Sequence, residues 1–338
     1  MIKELMQHHL DNLAKPVGSL GRLEQLALQM ADIQQRVPPL RGRKEVFVFA
    51  GDHGINEEGV SMYPQAVTRQ MVNTFLAGHA GINVIARTCG CSITVIDAGI
   101  ANDINHEGII TRKAGRGTEN FRHTRAMGRE ALEASLSFGE ETAGEAVSRE
   151  CVITALGDMG ISNTSSAAAL AVASGCDEQL IIDRGTGISD KQLEHKRRVI
   201  LESVSRHAPY TGPYDVMEKL GGFELAQMTG FILGLRGTGT ACVIDGFPVT
   251  SAAYMAWLID PSVREFLFAG HQSKVTGHRV LLDAMGLEPL VDLGMRLGEG
   301  TGAVIGAFLL DLSMAIAADM ASFDDAKVTR SNGEEISY

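Results

Sequence analysis

Short apolar runs recur along the chain, and each closes on a turn rich in glycine and aspartate or polar residues. They span 46–50 before GDHG, 93–97 before AGI, 152–156 before GDMG, 241–245 before GFP, 266–269 before GHQS and 290–293 before GMRLGEG. Six β-like runs with helical patterns between them predict a parallel sheet covered by helices on both faces. In such sheets ligands bind beyond the carboxyl ends of the strands. The polar, glycine-bearing turns fall at that same edge.

The intervening helices are legible from their period. Pro64 opens one, where its missing N–H is harmless, and Val67, Met71 and Phe75 then recur at i+4 as an apolar stripe. Gln70 and Asn73 lie off that stripe. A second helix covers about 163–174, with Ser162, Asn163 and Thr164 all suited to cap it. A third covers about 222–235, where glycines among apolar residues predict close helix packing. The first ~30 and last ~35 residues lack the strand–turn pattern. The expected division is a large domain over 30–302 and a small helical one from 1–29 with 303–338. The tail after Phe323 reads as frayed.

Composition narrows the function classes. The chain has 338 residues, 30 basic against 41 acidic, for a formal charge of −11. No basic stripe stands out to neutralise phosphates, which argues against a nucleic-acid partner. One small anion remains possible, because backbone N–H groups and a few side chains can hold it. The five cysteines show no disulfide or Cys-x-x-Cys spacing, and Cys89 and Cys91 read as packing residues. The N-terminus lacks a signal-peptide core, and the apolar run 303–320 is broken by Asp311 and Asp319. A buried helix and no membrane span are expected, with the cytoplasm as default compartment.

Several segments could carry chemistry. Glu299 stands between Gly298 and Gly300, with Gly302 beyond, at the end of a short apolar run and before a helix. Such a carboxylate either faces a cleft or complements a helix dipole. Asp52-His53 is either half of a dyad or a structural strand end, and Ser61 and Gln70 offer neutral hydrogen bonds nearby. Two glycine turns before helices could cradle a phosphate: Asp158 to Gly160 in GDMG, and Gly185 and Gly187 in RGTG with Lys191 and Lys196 following. Neither is a Walker A loop, and no Gly-x-Gly-x-x-Gly follows the first strand, which disfavours a nicotinamide-dependent oxidoreductase. His271 and His278 lack further zinc ligands, and no Gly-x-Ser-x-Gly elbow occurs.

Taken in order, KPVGSLGRLE, AGDHGINEEGVSMYPQAVTRQMV, GDMGISNTSSAAAL, GRGTGISD, GGFELAQMTG, VIDGFPVTSAA, AGHQSKVTGH and PLVDLGMRLGEGTGA resemble the nicotinate-nucleotide–dimethylbenzimidazole phosphoribosyltransferase family of cobalamin nucleotide-loop assembly. The resemblance implies a homodimer with a Rossmann-like six-stranded parallel sheet and a small helical domain from both termini. It implies transfer of phosphoribose from nicotinate mononucleotide to 5,6-dimethylbenzimidazole, giving α-ribazole 5′-phosphate and nicotinate, with no metal or redox cofactor. Its base corresponds to Glu299. Its phosphate side corresponds to Gly160, Lys196 and Ser273, and its benzimidazole side to the segment holding Ser61 and Gln70. Asp158 stands where a glutamate is common, and Lys274 where an acid often follows the serine. The alternative is a nucleotide-binding or regulatory homologue without turnover.

Overall fold

The structure, a computed structural model, describes residues 1–183, 187 and 189–329. Six parallel strands form one sheet: β1 (Arg43–Gly51), β2 (Ser92–Gly99), β3 (Ile109–Thr111), β4 (Cys151–Met159), β5 (Ala241–Ile244) and β6 (Leu267–Ala269). Their spatial order is β3-β2-β1-β4-β5-β6. The order reverses between β1 and β4, and a doubly wound sheet opens a crevice at such a switch point.

Helices α1 (Ile2–Asp11) and α2 (Arg22–Gln34) precede the sheet. Between β1 and β2 come α3 (Ala66–Leu76) and α4 (Gly81–Thr88), and α5 (Arg129–Ser148) leads into β4. The β4–β5 connection carries α6 (Asn163–Ala173), α7 (Glu178–Ile181), α8 (Asp190–His207), α9 (Pro213–Leu220) and α10 (Phe223–Gly234). Helix α11 (Phe247–Ile259) follows β5. After β6 come α12 (Thr276–Met285), α13 (Thr301–Asp319) and α14 (Phe323–Ala326).

Alternation along β1 explains why its sequence is apolar throughout. Phe47 and Phe49 pack with Leu136 of α5 and Phe231 of α10, whereas Val46, Val48 and Ala50 pack with Val72, Ile82 and Val304 on the other face. The Phe47 and Phe231 rings lie 4.9 Å apart. Each such side chain contributes ~1.5–3 kcal/mol on burial. The predicted close packing of α10 is present: a Cβ on Gly230 would collide with the Leu136 backbone on α5.

Five of the six expected strands form. The sixth does not, because 290–293 makes only a single bridge from Pro289 to Ala269, and Leu293 is exposed. Backbone bonds tie this segment there at two points, the Leu290 N–H to the Ala269 carbonyl at 2.9 Å and the Gln272 N–H to the Val291 carbonyl at 2.7 Å, so it stays an extended loop along the β6 edge. The missing strand is β3, an edge strand of three residues in a polar stretch too short to announce itself. In α3 the buried face is Thr68, Val72 and Phe75, which leaves Val67 and Met71 half-buried on a neighbouring face. Ser162 precedes α6 but does not cap it with its side chain; its hydroxyl donates to Asn56 Oδ1 at 2.9 Å.

Both termini do build a common cluster, from Met6, Leu10, Leu13, Ala27, Ala31 and Ala317. Helix α13 belongs to two packings. Its first half lies on the sheet through Ala303, Val304, Ala307 and Leu310, and its last turns join the terminal cluster. Among the described residues this is the one helix long and apolar enough to cross a membrane, and 61% of it is buried. Its Asp311 is held by Arg41 at 2.9 Å and Lys44 at 2.6 Å, which suits a packed helix.

Candidate active site

A cleft of about 410 Å³ opens over the carboxyl ends of the strands. Its walls come from α3 (Val67, Met71), the end of β4 and the turn after it (Asp158 to Ile161), the start of α11 (Phe247, Pro248), the loop after β6 (His271, Ser273) and the loop 296–299. The lining is mainly apolar with a few convergent polar groups, as ligand sites are.

Glu299 is the acid of this cleft. It adopts φ 64, a left-handed conformation uncommon for a residue with a Cβ, between Gly298 (φ 84) and Gly300 (φ 90). Its Oε2 accepts the Ile82 N–H at 3.1 Å, in the open first turn of α4. Burial raises its pKa; the Ile82 hydrogen bond opposes this, and the charge of Asp245 adds to it.

Asp245, immediately after β5, holds that turn. Its Oδ2 accepts the Gly300 N–H at 3.0 Å, and its Oδ1 accepts those of Gly302 at 2.7 Å and Ala303 at 3.1 Å. Although burial pushes its pKa up, contacts with His271 and these N–H groups hold it below the usual range. Asp158 behaves oppositely. Burial first, then the charges of Asp245, Glu224 and Glu299, push its pKa well up, although Asn163 Nδ2 donates to it.

On the opposite wall, Lys196 of α8 is buried, and its Nζ donates to Thr164 Oγ1 at 3.0 Å. Thr164 lines the cleft, so the ammonium stands one side chain behind it. Burial lowers the Lys196 pKa to about 8 against the opposing charge of Asp183. Ser273 also lies on the cleft wall, donating its N–H to His278 Nδ1 at 2.9 Å. Burial lowers the His278 pKa to about 3, so this imidazole is neutral with its proton on Nε2.

A family model described as Phosphoribosyltransferase matches residues 1–328. The chain belongs to this phosphoribosyltransferase family. The nicotinate-nucleotide–dimethylbenzimidazole phosphoribosyltransferase of Geobacter sp. (strain M21) is 44% identical over 96% of this chain and 93% of its own. The relative of the same name from Thermus thermophilus is 44% identical over 95% and 96%. A crystal structure of CobT from Thermus thermophilus superposes with a TM-score of 0.93 at 43% identity, covering 97% of this chain and 99% of that one.

In this phosphoribosyltransferase the cleft brings together Glu299, Asp158, Gly160 and Ser273, with Lys196 reaching it through Thr164. Ser61 and Gln70 do not line it. Gln70 is exposed, because the α3 turn that presents Val67 and Met71 to the cleft leaves it outside, and Ser61 Oγ accepts the Tyr63 N–H at 3.3 Å. Gly187 is exposed, with Arg296 Nη1 3.9 Å from where its Cβ would be, and Gly185 lies outside the described residues. Reading the sequence missed Arg296 as a cleft residue and Asp245 as the buried support of the Glu299 turn. Nothing local marked the first; the aspartate ending an apolar run before GFP was the available signal for the second.

Proposed function

We propose that this chain transfers phosphoribose from nicotinate mononucleotide to 5,6-dimethylbenzimidazole, releasing nicotinate and forming α-ribazole 5′-phosphate. The observation that carries this reading is Glu299, a buried carboxylate of raised pKa facing a mainly apolar cleft. The activity for which full-length relatives at 44% identity are named supports it.

In this reading one benzimidazole nitrogen attacks C1 of the ribose while Glu299 takes the proton from the other nitrogen. The bond from C1 to the pyridinium nitrogen breaks, and its electron pair leaves with nicotinate, which becomes neutral at nitrogen. Attack from the opposite face inverts C1 and gives the α-linked product. Gly160, Ser273 and Lys196 hold the phosphoribosyl side, with Gly187 at its rim. The apolar wall of Val67, Met71 and Phe247 takes the flat base. Asp158, whose pKa burial and neighbouring carboxylates raise, accepts from Asn163 Nδ2 at the edge of this side.

Two chains form a homodimer, and the large and small domains divide near residues 30 and 302. The test is product formation: purified chain with both substrates releases nicotinate and α-ribazole 5′-phosphate in equal amounts. Nucleotide binding without release in the presence of dimethylbenzimidazole would favour the regulatory alternative instead.

A further inference from the structure

The mechanism above leaves the GDHG segment at the end of β1 unused, although its His53 forms a wholly buried pair with Glu224 of α10. His53 and Glu224 are both fully buried, with Nε2 2.7 Å from Oε1. Burial lowers the imidazole pKa, but the charge of Glu224, its hydrogen bond and the charge of Asp52 outweigh it and leave it raised. Buried ion pairs give little net stability against a packed apolar pair, so stability alone is a poor reason for this one.

Geometry supplies another reason. Three glycines close on the pair from three elements: Gly51 ending β1, Gly160 after β4, and Gly222 before α10. A Cβ on Gly51 would lie 2.6 Å from Glu224 Oε2, and one on Gly160 would lie 3.3 Å from His53 Nε2 while striking the Gly51 carbonyl. The Gly160 backbone therefore rests on the histidine ring, and its other side lines the cleft.

The next residue is held from α3. Ile161, also lining the cleft, donates its N–H to Thr68 Oγ1 at 3.1 Å, and Thr68 is wholly buried. Asp52 lies beside that hydroxyl and accepts the Ala101 N–H at 2.8 Å. Thr68 sits between Val67 and the turn bearing Met71, so the same helix forms one wall and anchors the other.

We propose that Thr68 and the His53–Glu224 pair are positioning residues for the donor half of the cleft, fixing the Gly160–Ile161 backbone where phosphoribose docks. This rests on the phosphoribosyl-transfer reading. Thr68→Val keeps the shape and removes the acceptor of the Ile161 N–H. It should raise KM for nicotinate mononucleotide about tenfold, the scale of one lost buried hydrogen bond. KM for dimethylbenzimidazole and kcat should each move less than about twofold on that account. Thr68→Ser should restore the donor KM. Glu224→Gln keeps a hydrogen bond to His53 without the charge and should also raise the donor KM; should it not fold, the Thr68 variants decide.

A lowered melting temperature with unchanged donor KM would overturn the proposal, as would equal rises in both KM values or no rescue by serine. Titration calorimetry separates the two readings. Wild-type chain that fails to bind nicotinate mononucleotide overturns phosphoribosyl transfer itself. Wild-type binding that Thr68→Val leaves unaltered overturns only the positioning role.

Discussion

Glu299 is held in a strained backbone conformation, and left-handed φ at a residue with a Cβ persists only where the surroundings enforce it. Asp245 and the Ile82 N–H do the enforcing, one through the backbone and one through the carboxylate. Glu299→Gln keeps the shape and removes the base, so kcat should fall ~10²-fold or more while donor affinity holds. Near-full turnover in the variant at neutral pH would refute the role. A base works ionised, so the acid limb of kcat against pH should lie above the ordinary glutamate range, as the raised pKa requires. Lys196 gives the opposite sign. Its charge is present below about 8 and lost as pH rises through that value, so nicotinate mononucleotide should bind more weakly in alkaline buffer. Lys196→Ala should cost ~1–3 kcal/mol of donor binding, flatten that alkaline decline and leave the acceptor alone. Calorimetry across pH measures all three.

Elements place these residues, and the elements were mostly legible. Runs buried on both faces read as continuous apolar segments, which is why β1, β2, β4, β5 and β6 stood out. The edge strand β3 did not, because a short strand at a sheet margin needs little apolar sequence. The site was legible where glycine and acid sat together, as at Glu299, Asp158 and Gly160. It was not where the signal is tertiary: Asp245 matters through the N–H groups of another segment, residues 300 to 303. Close approach between β4 and the Glu299 turn has a direct test. A Cβ on Gly157 would lie 2.5 Å from the Glu299 carbonyl oxygen, so Gly157→Ala should destabilise by ~1–3 kcal/mol and also depress kcat. Loss of stability with kcat intact would show that the turn tolerates displacement. Asp158, penultimate in β4, carries a pH signature. Its folded pKa is raised, so its favourable contribution is full below its unfolded value and fades as pH climbs towards the folded one. Asp158→Asn still accepts from Asn163 and needs no proton. Its melting temperature should exceed that of the wild type most at neutral pH, and the gap should close below pH ~4. A gap independent of pH would contradict the assignment.

At the scale of the whole molecule, two surface properties oppose each other. The chain carries −11, which keeps copies apart at low ionic strength. Yet Met62, Tyr63, Leu293 and Leu297 are all exposed, and Tyr63 and Leu297 also line the cleft. Exposed apolar groups at a cleft, as Tyr63 and Leu297 are, suit a surface that another surface covers. The proposed homodimer would cover them and shield the cleft from water, which an oxocarbenium-like ribose requires. Burial of apolar area favours association while charge repulsion resists it, so the dimer should tighten as salt screens the repulsion. Sedimentation velocity should then give twice the 36.1 kDa chain mass at physiological salt, with more of the single chain at low salt. Placing like charges in the patch, as Tyr63→Asp with Leu297→Asp, should shift the protein to the single-chain mass. It should also raise hydrolysis of nicotinate mononucleotide relative to transfer, because water then reaches C1. A double variant that remains a dimer with an unchanged ratio of hydrolysis to transfer would place the interface elsewhere.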